Sequence, residues 1–241
     1  MKEERLDKIL CGTGRFSRAE ARSAVRSGLV AVDGAVVRDP GAKADREAAI
    51  TVRGERLDTA EFVYYMLNKP AGYVSGSAPE GEYPPVTDLL PDDLRRRGLF
   101  CVGRLDADAT GLLLLTDDGA YAHRVTAPRS DIPKTYRVRV DGPLTDADAE
   151  ALDAGVTLRG GTEYRPAELR IDPDDTALAL VTVTEGKYHE VKNLMAARGR
   201  HVRTLERLSI GGLTLDTELR PGEGRRLSAE EKERVYINML K

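Results

Sequence analysis

Gly103-Arg104-Leu105-Asp106-Ala107-Asp108-Ala109-Thr110-Gly111-Leu112-Leu113-Leu114-Leu115-Thr116-Asp117-Asp118-Gly119 decides how this chain is read. A polar, glycine-bounded turn carrying Arg104 and Asp106 runs into four consecutive leucines, and Asp-Asp-Gly closes the block. An apolar run this short, ended by a turn signal, predicts a buried strand over 112–116. An acidic residue on a tight turn beside such a strand is held by a rigid scaffold, as a catalytic carboxylate must be. The same residue type also serves merely to hydrogen-bond its own turn. The turn alone leaves both readings open.

The bulk of the chain narrows the classes. Its 241 residues suffice for one large domain or two smaller ones. No apolar run approaches the roughly 20 residues that span a bilayer. Met1-Lys2-Glu3-Glu4-Arg5 is charged with no apolar stretch behind it, unlike a secretory or transit peptide. Cys11 and Cys101 stand far apart and form no Cys-x-x-Cys, so neither a disulfide nor structural zinc is expected. The expectation is a soluble, cytoplasmic monomer with no membrane contact and no metal. The net charge of −3 does not announce a nucleic-acid binder, but local patterning does. Between Leu10 and Val30, Arg15, Arg18, Arg22 and Arg26 face Glu20 alone. A later cluster sets Lys187, Lys192, Arg198, Arg200, Arg203 and Arg207 against Glu185, Glu190 and Glu206. Basic patches on a mildly acidic protein suit a polyanion bound selectively.

The first 45 residues read as a small unit: a helix over 3–10, a turn over 11–16, a second helix from Ser17, and a hairpin. Ser17 and Glu20 have capping-box spacing. Arg18, Arg22 and Arg26, four apart, form one stripe on the second helix. Asp33-Gly34 between apolar runs over 29–32 and 35–37 is a strong two-residue hairpin signal. The stripe fits a solvated face and a phosphate-binding face equally well. The unit resembles an S4 RNA-binding domain in Arg5-Leu6-Asp7-Lys8-Ile9-Leu10, in Ser17-Arg18-Ala19-Glu20-Ala21 and in Gly28-Leu29-Val30-Ala31-Val32-Asp33-Gly34. That resemblance implies that Arg5, Lys8, Arg15, Arg18, Arg22 and Arg26 grip structured RNA.

A brief strand over 49–52 and a linker end this unit, placing the domains at 1–58 and 59–241. The second reads as α+β. Strands are expected over 62–67, 112–116, 135–140, 169–171, 177–184 and 202–210. Helices are expected over 120–125, 146–153, 188–198 and 229–236, the last opened by a Ser228/Glu231 capping box. Asn68-Lys69-Pro70-Ala71-Gly72 reads as a turn, and 75–85, rich in Gly, Pro, Ser and Glu, as an exposed loop.

Four pieces of this second unit together resemble a pseudouridine synthase of the RsuA-like, small-subunit rRNA branch. They are Leu67-Asn68-Lys69-Pro70-Ala71-Gly72, Gly103-Arg104-Leu105-Asp106 through Asp118-Gly119, Lys134-Thr135-Tyr136-Arg137-Val138, and Glu185-Gly186-Lys187-Tyr188-His189-Glu190-Val191-Lys192. Any one piece is weak; four in order behind an S4-like unit are specific. The resemblance implies an S4-type α/β domain followed by a mainly antiparallel mixed sheet flanked by helices. It implies a reaction in which a uridine within RNA is detached at N1, turned and rejoined to its ribose through C5, without metal or cofactor. Asp106 matches the catalytic aspartate, by attack on ribose or base or by assisting elimination. Tyr136 matches the tyrosine that stacks on the target base. Lys192 matches the cation that keeps a half-dry carboxylate ionised. Arg104, two residues before Asp106 and so on the same side of an extended turn, is a candidate for opening or holding the RNA. Lys69, Lys187 and His189 are candidates for RNA contact or the pocket wall. Asp108 is the rival carboxylate.

Glu190 stands where the family commonly has Gln, Asn193 where Arg often follows the lysine, and Ala109 where Thr is common. These departures bear on substrate choice and affinity. The 187–192 run favours one uridine of 16S rRNA in an assembling small subunit over a 23S site, the latter branches tending to carry Asn-Arg in place of Tyr-His. Two other classes stay open: a non-catalytic rRNA-binding assembly factor, and a metal-dependent phosphodiesterase using Asp106, Asp108, Asp117 and Asp118.

Overall fold

The computed structural model describes residues 3–127 and 129–237. The chain folds as two units, one running up to Val63 and including Leu90–Leu99, the other comprising Tyr64–Leu89 and the chain from Phe100 on.

The first unit contains β1 (Glu4–Arg5), α1 (Leu6–Gly12), α2 (Arg18–Arg26), β2 (Val30–Val32), β3 (Ala35–Val37), β4 (Lys43–Ala44), β5 (Ile50–Val52), β6 (Glu55–Arg56) and α3 (Asp92–Arg97). Its four-stranded sheet has the order β3-β2-β5-β6, and β1 pairs with β4. That pairing sets Glu4 and Arg5 opposite Ala44 and Lys43, so the first helix begins at Leu6 instead of Glu3. The expected capping box is present: Ser17 Oγ accepts from the Glu20 N–H, and the Glu20 carboxylate accepts from the Ser17 N–H at 2.7 Å. α2 buries Ala21 and Val25 and leaves Arg18, Arg22 and Arg26 exposed. Asp33 and Gly34 both take positive φ, 49° and 84°, as a type I′ hairpin turn requires. α3 was not foreseen, although Pro91, the first-turn Asp92 and Asp93, the last-turn Arg95 to Arg97 and the left-handed Gly98 are ordinary helix start and stop signals. Its Leu94 is buried.

The second unit is built on a nine-stranded sheet. In chain order its elements are β7 (Tyr64–Lys69), β8 (Phe100–Val102), β9 (Thr110–Thr116), α4 (Gly119–Thr126), β10 (Lys134–Val140), α5 (Asp146–Asp153), β11 (Val156–Thr157), β12 (Glu163–Tyr164), β13 (Glu168–Ile171), β14 (Leu178–Val183), α6 (Glu190–Ala197), β15 (Val202–Ile210), β16 (Leu213–Thr214), β17 (Gly224–Arg226) and α7 (Ala229–Arg234). The sheet order is β13-β14-β10-β15-β9-β7-β17, with β16 beside β15 and β8 beside β9; β11 and β12 form a separate ribbon. Among the described residues β9 and β15 run parallel and the other neighbours antiparallel. The fold is α+β, as expected. Leu112 to Leu115 are all buried, so β9 is covered on both faces, which explains an unbroken apolar run in place of alternation. Met66, Leu112 and Leu114 pack with Tyr121, Val125, Ile210 and Val235 into one core. Asp118 caps α4 by accepting from the Tyr121 N–H at 2.9 Å, and the Ser228/Glu231 box opens α7.

Two details position the site. The expected strand over 62–67 lies at 64–69 instead, because Asn68 and Lys69 stay paired with Leu112 and Gly111 rather than turning out. At Gly111, φ is +97°, and a Cβ there would sit 2.4 Å from the Arg207 carbonyl oxygen. Only glycine lets β9 and β15 meet that closely.

Candidate active site

Asp106 stands on the loop between β8 and β9, and that loop is held largely through its backbone. Ser75 Oγ both donates to the Leu105 carbonyl (2.8 Å) and accepts from the Leu105 N–H (2.9 Å). The Gly72 N–H donates to the Ala107 carbonyl at 2.8 Å, and the Ala109 N–H closes a turn onto the Asp106 carbonyl at 3.1 Å. From below, Lys69 Nζ donates to the carbonyls of Ala109 (2.7 Å), Pro70 (3.0 Å) and Ala107 (3.3 Å). Lys69 is fully buried, and burial pushes its ammonium down to about 8 against the raising influence of Asp108 and Asp106. Its ammonium is therefore engaged in the support of the aspartate loop and presents no exposed surface. Arg207 Nε donates to the Leu112 carbonyl (2.8 Å) and Nη1 to that of Arg104 (3.4 Å), joining β15 to the two ends of the loop.

The carboxylate so placed has two partners at the start of α6, the N-cap residue His189 and Lys192 in the first turn. Lys192 Nζ lies 2.8 Å from Asp106 Oδ2, and His189 Nε2 lies 3.3 Å from Oδ1. Lys192 also binds both oxygens of Asp108, at 2.7 and 3.0 Å. Burial works against the charge on Lys192, but its bonds to the two aspartates outweigh it and raise the ammonium above its ordinary range. Burial likewise opposes the ionised form of Asp108, and Lys192 overrides it. The two carboxylates differ in setting. The Asp106 side chain is 26% exposed and lines a cleft, whereas that of Asp108 is 73% exposed and does not.

Tyr136, inward-facing on β10, lines the same cleft, as do Arg104, Lys187 and His189. Asp106, Tyr136 and Lys192 thus meet at or beside one pocket, although they come from separate stretches of the chain. The Arg104 side chain is exposed and lies 3.9 Å from Glu80. Lys187 is engaged by Glu185 at 2.8 Å and by the Glu163 carbonyl. Two buried cations of the wall, Lys134 and Arg207, were not among the candidate site residues, Arg207 having been counted only in the later basic cluster. The signal existed: Arg207 shares strand parity with the buried Leu205, so its guanidinium had to point inward. Arg207 is 2% exposed, and its Nη2 is buried without a hydrogen-bond partner.

Two of the three departures from the family pattern, Glu190 and Asn193, have structural roles for their side chains. Glu190, buried and with its carboxyl raised by that burial, accepts from the N–H groups of Gly186 (2.6 Å) and Lys187 (3.0 Å). Asn193 Nδ2 donates to Tyr164 Oη (2.8 Å) and to the Tyr188 carbonyl (3.2 Å). Ala109 contributes its carbonyl to Lys69.

The cations of the first unit divide into two groups. Arg5 and Arg22 both pair with buried Asp7, at 2.9 and 3.2 Å; the Arg5 hydrogen bond leads in holding that carboxyl below its ordinary range, over the opposing effect of burial. Lys8 pairs with Glu4, and Arg15 lies 3.7 Å from Glu55. Among the described residues no ion pair engages Arg18 or Arg26. In the later basic cluster, Arg198 binds Asp148 at 2.8 Å and Arg200 the Pro143 carbonyl.

Among the described residues no group of three or more His, Cys, Asp or Glu is placed to hold a metal, and Asp118 is occupied by Tyr64 Oη (2.8 Å) and the α4 cap. No helix among them is long and apolar enough to cross a membrane.

Comparison with known proteins places the chain. The RNA pseudouridylate synthase family matches residues 63–197, and the S4 domain matches residues 4–50. Ribosomal small subunit pseudouridine synthase A of Escherichia coli K12 is 42% identical over 230 residues, covering 94% of this chain and 97% of that protein. An uncharacterized RNA pseudouridine synthase of Bacillus subtilis, YtzG, is 41% identical over 94% of this chain and 96% of its own length. A crystal structure of a pseudouridylate synthase superposes with a TM-score of 0.68 at 36% identity, covering 96% of this chain and 99% of that one.

Proposed function

The chain belongs to the RNA pseudouridylate synthase family, with an S4 domain ahead of the catalytic unit, and we propose that it converts one uridine of 16S rRNA into pseudouridine. The synthase activity follows from family membership, and the S4 unit supplies contact with RNA. The relatives named for the small ribosomal subunit, matched over nearly their whole length, support the 16S assignment.

The observation that carries the chemistry is the Asp106 carboxylate at the edge of a cleft lined by Tyr136, with Lys192 at 2.8 Å and His189 at 3.3 Å. A uridine drawn out of its stack enters the cleft and regains a flat contact on Tyr136. Asp106, paired with Lys192 at 2.8 Å, then acts as nucleophile on ribose or base, or as the base for elimination at the ribose. The N1–C1′ bond breaks, the uracil turns, and a C5–C1′ bond forms. The C5 proton leaves and N1 takes up a proton. Every heavy atom of the product comes from the substrate and no electrons are exchanged, so this reading asks for neither metal nor cofactor.

The test is pseudouridine mapping on 16S and 23S rRNA, naked and in ribosomal particles, after treatment with wild type, Asp106→Ala and Asp108→Asn. The expected result is one new pseudouridine in 16S rRNA, absent with Asp106→Ala and present with Asp108→Asn. A site in 23S rRNA keeps the chemistry and overturns the substrate. Tight RNA binding with no modification of any form leaves an rRNA-binding assembly factor.

A further inference from the structure

His189, which lines the cleft, adopts a left-handed backbone at φ 52° and ψ 29°. A non-glycine residue is uncommon there and marks a constrained position. The residue before it, Tyr188, is 76% exposed, the highest value for a large apolar or aromatic side chain among the described residues. Its ring stacks on the His189 imidazole with centroids 3.7 Å apart and planes 23° from parallel. His189 in turn lies 3.3 Å from Asp106. An unbroken series of contacts therefore runs from the catalytic carboxylate through an imidazole to an aromatic face in open water.

The backbone that carries this ring is held in place. Asn193 holds the Tyr188 carbonyl, and Glu190 holds the backbone of the two residues before Tyr188. Among the described residues no hydrogen bond engages the Tyr188 hydroxyl, and Tyr188 lies outside the cleft lining. The ring thus neither fills the core nor faces the target base, which the cleft and Tyr136 receive.

We propose that Tyr188, backed by His189, is a stacking platform for a nucleotide next to the target uridine. The inference rests on the functional reading above. Drawing a uridine out of its stack uncovers the face of its neighbour, and an aromatic ring at the cleft's edge covers it again. Every base has a π-face, so one ring serves whichever nucleotide is adjacent, and loss of such a contact weakens binding roughly 5- to 150-fold.

Single-turnover pseudouridine formation by the full chain tests this. The probes are wild type, Tyr188→Ala and Tyr188→Phe, each with the modified rRNA segment and with versions abasic at the 5′ or the 3′ neighbour of the target. Tyr188→Ala should raise the half-saturating RNA concentration about tenfold, leave the maximal rate within about threefold, and be rescued by Tyr188→Phe. One of the abasic substrates should cost wild type a similar factor and Tyr188→Ala nothing further. An unchanged half-saturation in Tyr188→Ala, or losses that multiply for both abasic positions, overturns the platform while the synthase reading stands. Absence of wild-type turnover on every rRNA form overturns the synthase reading and the platform with it.

Discussion

Replacing Lys192 by Met tests the charge logic of the site. The ammonium sits 2.8 Å from Asp106 and 2.7 Å from Asp108. Two unit charges at that distance attract by about 6 kcal/mol at an effective dielectric of about 20. Water screens part of this, since the side chains of Lys192 and Asp106 keep 24% and 26% of their exposure. Desolvation of both ions offsets more. A net of about 2–4 kcal/mol lost from the reacting state is a fall of roughly 30- to 1000-fold in rate at saturating RNA. Release of tritium from C5-labelled uridine under single-turnover conditions measures it directly, because the C5 hydrogen leaves in every turnover. Lys192→Arg, which keeps the charge, should recover most of the rate. If Lys192→Met stays within about threefold of wild type while Asp106→Ala is inactive, the ammonium is not what sustains the carboxylate, and the electrostatic argument fails.

Stability should depend on pH through Lys134. Burial pushes this ammonium down to about 8, with Arg207 adding to the effect and Glu190 opposing it, against 10.5 in the unfolded chain. Below pH 8 both states hold the proton and the cost of the buried charge is fully present. Between about 8 and 10.5 the unfolded chain binds more protons, so stability rises with pH. Wild type should therefore gain on Lys134→Met by up to about 1.4 kcal/mol per pH unit across that window, measured by urea unfolding; a flat or falling difference contradicts this, and Lys69, common to both proteins, cancels. On the S4 unit, Arg18→Ala with Arg26→Ala should weaken RNA binding and reduce the slope of log affinity against log salt by about one per arginine, with an unchanged urea midpoint. An unaltered slope places the RNA on another face.

The sequence carried the architecture wherever a local rule had no competitor. Ser17 with Glu20, Asp33-Gly34 and the leucine run of β9 each specify one conformation by themselves, and the structure has all three. The candidate residues Asp106, Tyr136 and Lys192 were readable from their motifs, and the fold gathers them around one cleft. The misses share a cause, which is that a distant partner decided the outcome. Lys69 reads as part of an exposed turn, yet β9 keeps it paired and three carbonyls take its ammonium inside. The helix expected from residue 188 starts at Glu190 because His189 turns left-handed beside Asp106. Helix α3 had its local signals but lies among residues otherwise belonging to the second unit, so nothing nearby in sequence shows the core that buries Leu94.

The loop that carries Asp106 is gripped at the carbonyls of Arg104, Leu105, Ala107 and Ala109 and at the N–H of Leu105. Every residue type offers the same carbonyl. The geometry of the carboxylate is thereby uncoupled from the side chains of its neighbours, and an alanine at 109 supports it as well as a threonine would. The position of Asp106 is anchored in atoms that mutation of those neighbours leaves in place, so the aromatic and charged groups around the cleft can vary without moving the carboxylate.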